Sequence, residues 1–175
     1  MHSLILHPDC AAGPIRSVSA EITPTDRGCK ARFRLEGDIG KIKVPSHAQS
    51  ERMDNLWKTT CFEIFWQPVG DPYYREFNLS PSTRWACYDF DDFRKNGRDA
   101  PVSAISIACS QTEDMLELEA NIASELPLSA DVALNGIVED RDCNIQFWAL
   151  AFPEGQAEFH SEVCRGRHLD KGDRT

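Results

Sequence analysis

Apolar and polar side chains alternate with a period of two through much of this chain, which places the apolar set on one face of an extended strand. In residues 15–23 (IRSVSAEIT), Arg16, Val18, Ala20 and Ile22 form the mostly apolar set, opposed by Ile15, Ser17, Ser19 and Glu21. Residues 29–35 (CKARFRL) set Cys29, Ala31, Phe33 and Leu35 against Lys30, Arg32 and Arg34. With Thr25-Asp26-Arg27-Gly28 as the turn, the two runs predict a hairpin with one wet face. Residues 103–109 and 115–122 predict a second hairpin around Gln111-Thr112-Glu113-Asp114, with Leu116, Leu118, Ala120 and Ile122 inward. Further strands are expected at 132–138 and 144–151, a short apolar opening at 3–7, and a helical turn at 124–127.

The densest stretch is 56–94, which carries three of the four tryptophans and reads as three strands divided by turns at Gly70-Asp71-Pro72 and Ser80-Pro81-Ser82-Thr83. In the first strand Phe62, Ile64 and Trp66 share the core face, and Cys61, Glu63 and Phe65 the other. In the second, Tyr73, Arg75, Phe77 and Leu79 oppose Tyr74, Glu76, Asn78 and Ser80, so each strand carries a carboxylate on its less apolar side. The faces of the third, 84–90, stay open, because Trp85 and Tyr88 fall on opposite sides. The irregular loop 36–55 delivers the chain to Trp57, and a loop of that length is usually functional or mobile.

About ten short strands, frequent turn signals and no long amphipathic helix predict an all-β fold: an antiparallel, jelly-roll-like β-sandwich, with a closed barrel as the alternative. The 175 residues suffice for one core that buries roughly 70% of the unfolded surface. The expected organisation is a single domain over 1–168 and a frayed, mixed-charge tail over 169–175.

The net charge of −9, from 28 acidic and 19 basic residues, comes without a lysine or arginine cluster, which argues against nucleic acid as a partner. No apolar run is long enough to span a bilayer, and the opening MHSLILHPDCAAG lacks the features of a secretory signal, so a cytoplasmic protein with no membrane partner is expected. Seven cysteines, an odd number with no CxxC pair, are read as buried thiols rather than disulfides or a zinc site.

Candidate chemistry is sparse. There is no GxSxG, HExxH, GxxxxGK or GxGxxG motif. Glu63 and Glu76 sit on neighbouring strands and are the pair a glycosidase would need. Met53 and His160 are the candidate haem ligands, without a supporting motif. Asp89, Asp91 and Asp92 in DFDDF are the candidate calcium ligands, but lack the spacing and glycine of a calcium loop.

The segments LWKTTCFEIFW, YYREFNLSPSTRWACYDFDDFR and FWALAFPEGQAEFH resemble the DOMON-like group related to family 9 carbohydrate-binding modules. The resemblance follows strand order over most of the chain and is specific in those three segments. It implies an antiparallel sandwich that binds a sugar, or haem in the cytochrome branch, without catalysis. In such modules a sugar lies between aromatic side chains, fixed by acidic, amide and basic groups. Trp57 and Glu63 match the tryptophan and downstream carboxylate, and Asn78 and Arg84 the amide and basic group. The opposing wall falls to Trp148, whose place in the apolar run FWALAF also suits a core residue, or to Phe159. A structural or protein-interaction sandwich with no small ligand is the other alternative. Oligomeric state is left open.

Overall fold

In the computed structural model, which describes residues 1–174, the chain forms β1 (His2–Leu6), β2 (Ile15–Thr25), β3 (Gly28–Gly37), β4 (Cys61–Pro68), β5 (Tyr74–Leu79), β6 (Trp85–Phe90), β7 (Arg98–Asp99), β8 (Ala104–Gln111), β9 (Met115–Ala123), β10 (Ala130–Glu139), β11 (Ile145–Ala149) and β12 (Arg167–Leu169). Among the described residues the helical segments are four three-residue 3-10 turns. None is long and apolar enough to cross a membrane.

Every strand pairing is antiparallel, in the order β7-β6-β5-β4-β10-β11-β1-β2-β3-β9-β8, with β12 added to the start of β10. The sheet curls on itself at β1. His2, Ser3 and Leu4 pair with Ala20, Ser19 and Val18 of β2, whereas Ile5 and Leu6 pair with Ala149 and Trp148 of β11. Two layers result, one of β2, β3, β9 and β8 and one of β11, β10, β4, β5, β6 and β7. Their facing sides form the expected antiparallel sandwich.

The core follows the period-two pattern. Val18, Ala20, Phe33, Leu35, Leu116 and Leu118 from one layer meet Phe62, Ile64, Trp66, Phe77, Leu79 and Leu134 from the other. Phe33 stacks on Phe62 with ring centroids 4.8 Å apart. Burying each such side chain contributes about 1.5–3 kcal/mol relative to exposure. On β6 the alternation resolves: Cys87 and Trp85 turn inward, and Ala86 and Tyr88 outward. At the layer's edge, Arg75 grips Asp89 through Nε–Oδ1 (2.7 Å) and Nη2–Oδ2 (2.9 Å), while its Nη1 donates to Ser124 Oγ at 2.7 Å.

Three expectations change. Residues 124–127 form no helical turn; Ser124 is instead the hydrogen-bond partner of Arg75. The tail is tied down where fraying was expected, because Leu169 is fully buried and pairs with Ala130, and Lys171–Asp173 makes a 3-10 turn. Thr175 lies outside the described residues. All seven cysteines are free thiols; Cys29, Cys61, Cys87 and Cys164 are buried, but Cys143 is exposed in the turn after β10.

Candidate functional site

The side chains that do not enter the core are committed by the same alternation to the outer face of the β4 layer. The register builds two rows across it, Asn135–Glu63–Asn78–Ala86 and Ala133–Phe65–Glu76–Tyr88. An outer face would ordinarily be wet. Here the segment after β11 roofs half of it, with Phe159, Cys164 and Phe152 packing on Phe65, Tyr74, Ala133 and Ile137 as a second apolar cluster. Over the other half, the loops before β4 and after β6 leave a cavity of about 740 Å³. That volume lies within the range of small-molecule sites. Trp57, Tyr88, Phe90, Phe147 and Phe159 wall it, Glu63 and Glu76 face it from the sheet side and His160 from the roof segment, and Asp54, Arg94, Arg98 and Asp99 stand around it.

The position of Trp57 follows from how the preceding loop is fastened. Met53 N–H donates to the Trp85 carbonyl (2.9 Å), and Trp85 N–H to the Glu51 carbonyl (3.1 Å). The Arg52 guanidinium donates to the carbonyls of Cys87 and Ala100, both at 2.7 Å, and lies over the Trp85 ring. Asn55 then takes the left-handed conformation (φ 62°) and starts the 3-10 turn Leu56–Lys58. Leu56 packs beside Cys61 and Ala86, so its neighbour Trp57 projects outward and is 49% exposed. The long loop is therefore a pinned bracket that holds an indole at the cavity.

Charge inside the cavity is poorly compensated. Glu63 is only 4% exposed, and Asn135, opposite it, is fully buried with neither end of its amide hydrogen-bonded. Burial, and then repulsion from Glu76, push the Glu63 carboxyl well above the usual range against the pull of Arg94. Burial likewise raises Glu76 to about 7, although Asn78 Nδ2 donates to its Oε1 and Arg94 lies nearby. The remaining Oε2 of Glu76 is 3.7 Å from His160 Nε2. His160 Nδ1 lies 2.7 Å from the Tyr74 hydroxyl, which also accepts from the Arg94 N–H. The pattern is satisfied when Tyr74 donates to Nδ1 and the ring proton sits on Nε2, facing Glu76. Burial, reinforced by the Arg94 charge, lowers His160 to about 4, so at neutral pH the ring is uncharged.

Of the residues singled out from the sequence, Trp57 and Glu63 both line the cavity, with Phe159 as a wall. Asn78 is 1% exposed, on the same face but beneath the cavity, where it holds Glu76. Arg84 does not join them: its Nη2 pairs with Glu51 at 3.0 Å and its Nη1 lies 3.3 Å from the Met53 sulfur, away from the lining. Trp148 points into the core between the layers, opposite Gly136, so it is no clamp. Met53 is absent from the lining that holds His160, so the two candidate haem ligands do not converge. Asp89, Asp91 and Asp92 are each engaged by a basic partner, Arg75, Arg98 and Lys95 respectively. Among the described residues no three or more His, Cys, Asp or Glu side chains are grouped to hold a metal.

Sequence reasoning missed Arg94, Tyr88, Phe90 and Phe147 as lining residues. The last three follow from strand parity once the register of β6 and β11 is known. Arg94 sits in a turn with positive φ (53°) and carries no periodic signal.

No family model matches the chain, and no curated protein sequence does. Solved structures do. A protein from Bacteroides uniformis, described as a candidate carbohydrate-binding protein, superposes with a TM-score of 0.63 at 16% identity, covering 93% of this chain and 82% of its own. A family 9 carbohydrate-binding module from Caldicellulosiruptor kristjanssonii, solved in complex with glucose, gives a TM-score of 0.53 at 9% identity, covering 95% and 82%. At these identities the likeness is one of fold: the chain is a β-sandwich of the kind found in carbohydrate-binding proteins.

Proposed function

We propose that this chain is a non-catalytic binding module that holds a sugar, or a similarly small polar ligand, in the cavity between Trp57 and Phe159. The observation that carries this reading is the juxtaposition of a half-exposed indole with a buried carboxyl group, Glu63, facing the same cavity. The C–H face of a pyranose stacks on an indole, and its hydroxyls offer the donors that a carboxylate lacks. The fold shared with a glucose-bound module supports the same reading. Within it, Trp57 and Glu63 touch the ligand, Asn78 orients Glu76, and the chain belongs with the DOMON-like relatives of family 9 modules.

Calorimetry with a panel of mono- and disaccharides tests this. Trp57→Ala and Glu63→Gln should each weaken binding by about 1–3 kcal/mol while the thermal melt stays cooperative. Absence of binding at millimolar sugar would overturn the proposal. Glu63 and Glu76 face one cavity, which favours hydrolysis as the second reading. Turnover of a chromogenic glycoside, lost in both glutamine variants, would replace the binding reading with that one.

A further inference from the structure

Carboxyl groups outnumber guanidinium groups in the lining of the cavity. Four carboxylates line it: Asp54, Glu63, Glu76 and Asp99. Its two guanidinium groups are each paired with a carboxylate outside the lining, although the Arg94 charge still acts on Glu63 and Glu76. Arg94 is held in a two-pronged pair with Glu158 (3.1 and 2.9 Å), and Arg98 by Asp91 at 2.7 Å. The Tyr88 hydroxyl is spent on Asp54 at 2.6 Å, and the Asn78 amide on Glu76. Glu63 and the facing Asn135 are more than nine-tenths buried, and neither end of the Asn135 amide is hydrogen-bonded. A buried carboxylate left in this state is costly, and a ligand that brings positive charge removes the cost. The walls suit the same ligand, because aromatic faces attract cations and five aromatic rings line this cavity.

We infer that the cavity selects a cationic ligand, an amine-bearing sugar, over its neutral counterpart, with the ammonium placed against Glu63 and Glu76. This rests on the sugar-binding reading and names its ligand class. A neutral hydroxyl brings one donor and two acceptors and leaves the two glutamates in their protonated form, whereas an ammonium brings three donors, no acceptor and a positive charge that pairs with their ionised form. The raised Glu63 and Glu76 carboxyls are consistent with a site short of a cation. A bound ammonium would drive both toward ionisation, so binding near pH 6.5 should release protons.

The test is calorimetry on the intact chain with D-glucosamine, D-glucose and N-acetyl-D-glucosamine, at pH 6.5 in two buffers of different ionisation heat. Glucosamine should bind at least tenfold more tightly than glucose, with net proton release, and N-acetylation should abolish the advantage. Glu63→Gln should erase the glucosamine-to-glucose ratio; if that variant does not fold, the three-sugar comparison on the unmodified chain still decides. Glucose binding as tightly as glucosamine overturns this inference and leaves the proposed function standing. A glucosamine preference without proton release overturns the assignment to the two glutamates. Failure of all three sugars to bind overturns the proposed function together with the inference.

Discussion

Glu63 and Asn135 face each other across β4 and β10, both buried, yet the Asn135 amide hydrogen-bonds to nothing at either end. An unsatisfied buried polar group costs about 1–3 kcal/mol, and a fold rarely keeps one without use. Asn135→Leu, which keeps the branching and the number of side-chain heavy atoms, should therefore stabilise the unliganded protein by roughly 1–2 kcal/mol and weaken binding of the proposed sugar. Urea midpoints and calorimetry on the same variant check the two halves. A variant that is destabilised and binds normally would assign Asn135 to packing alone.

Glu76 and His160 give stability opposite pH dependences. With Glu76 raised from 4.5 to about 7, the folded state keeps a proton between these values that the unfolded chain has lost. Its contribution therefore becomes unfavourable as pH rises through that window, and the cost is complete above it. His160, lowered from 6.5 to about 4, binds fewer protons when folded, so stability is lost as pH falls from 6.5 to 4. Glu76→Gln removes the first effect and keeps the acceptor for Asn78. Its stabilisation relative to the parent should grow by roughly 2–3 kcal/mol between pH 5 and 8. Urea titrations at several pH values measure this, and a pH-independent difference would contradict it.

Three aspartates close together in sequence should respond differently to alanine. Asp89 is buried and carries the Arg75 guanidinium with the Tyr73 hydroxyl. Its loss strands a buried cation, which should cost about 3–5 kcal/mol. Asp91→Ala and Asp92→Ala break exposed pairs with Arg98 and Lys95 and should leave the thermal midpoint nearly unchanged. Three melts suffice.

Gly97 sits against a cavity wall: a Cβ there would lie 2.8 Å from the Phe90 ring. Gly97→Ala should push that ring toward the ligand space, lowering affinity several-fold while the melt shifts only slightly. Affinity by calorimetry beside the thermal midpoint separates the two effects. A large loss of stability with unchanged affinity would refute this.

The sandwich was legible because β2, β3 and β9 each keep one polar side, so period-two alternation survives in the sequence and names the inward residues. It fails on β6 and β11 because both faces are covered there. Phe147 packs under the roof segment while Trp148 packs in the core, and a strand buried on both sides shows no alternation. Trp148 thus looked like a clamp when it is core. Trp57 and Glu63 came together as a neighbouring aromatic and carboxylate, but the fate of Arg84 depended on Glu51, a loop partner 33 positions away. The roof itself, residues 152–165, has no regular strand and so left no periodic trace.

The five residues of β1 make the layers continuous, and this has a consequence for how the chain assembles. Ile5 bonds beside Ala149, so a segment made early must wait for one made much later before the two halves can be sutured. Until then the half containing β2 and β3 has a bare strand margin and an uncovered greasy side, a state prone to sticking to its own copies. Closure over so wide a sequence interval is intrinsically slow. Yield on refolding should thus fall as protein concentration rises, and a chaperone that shields the margin should restore it.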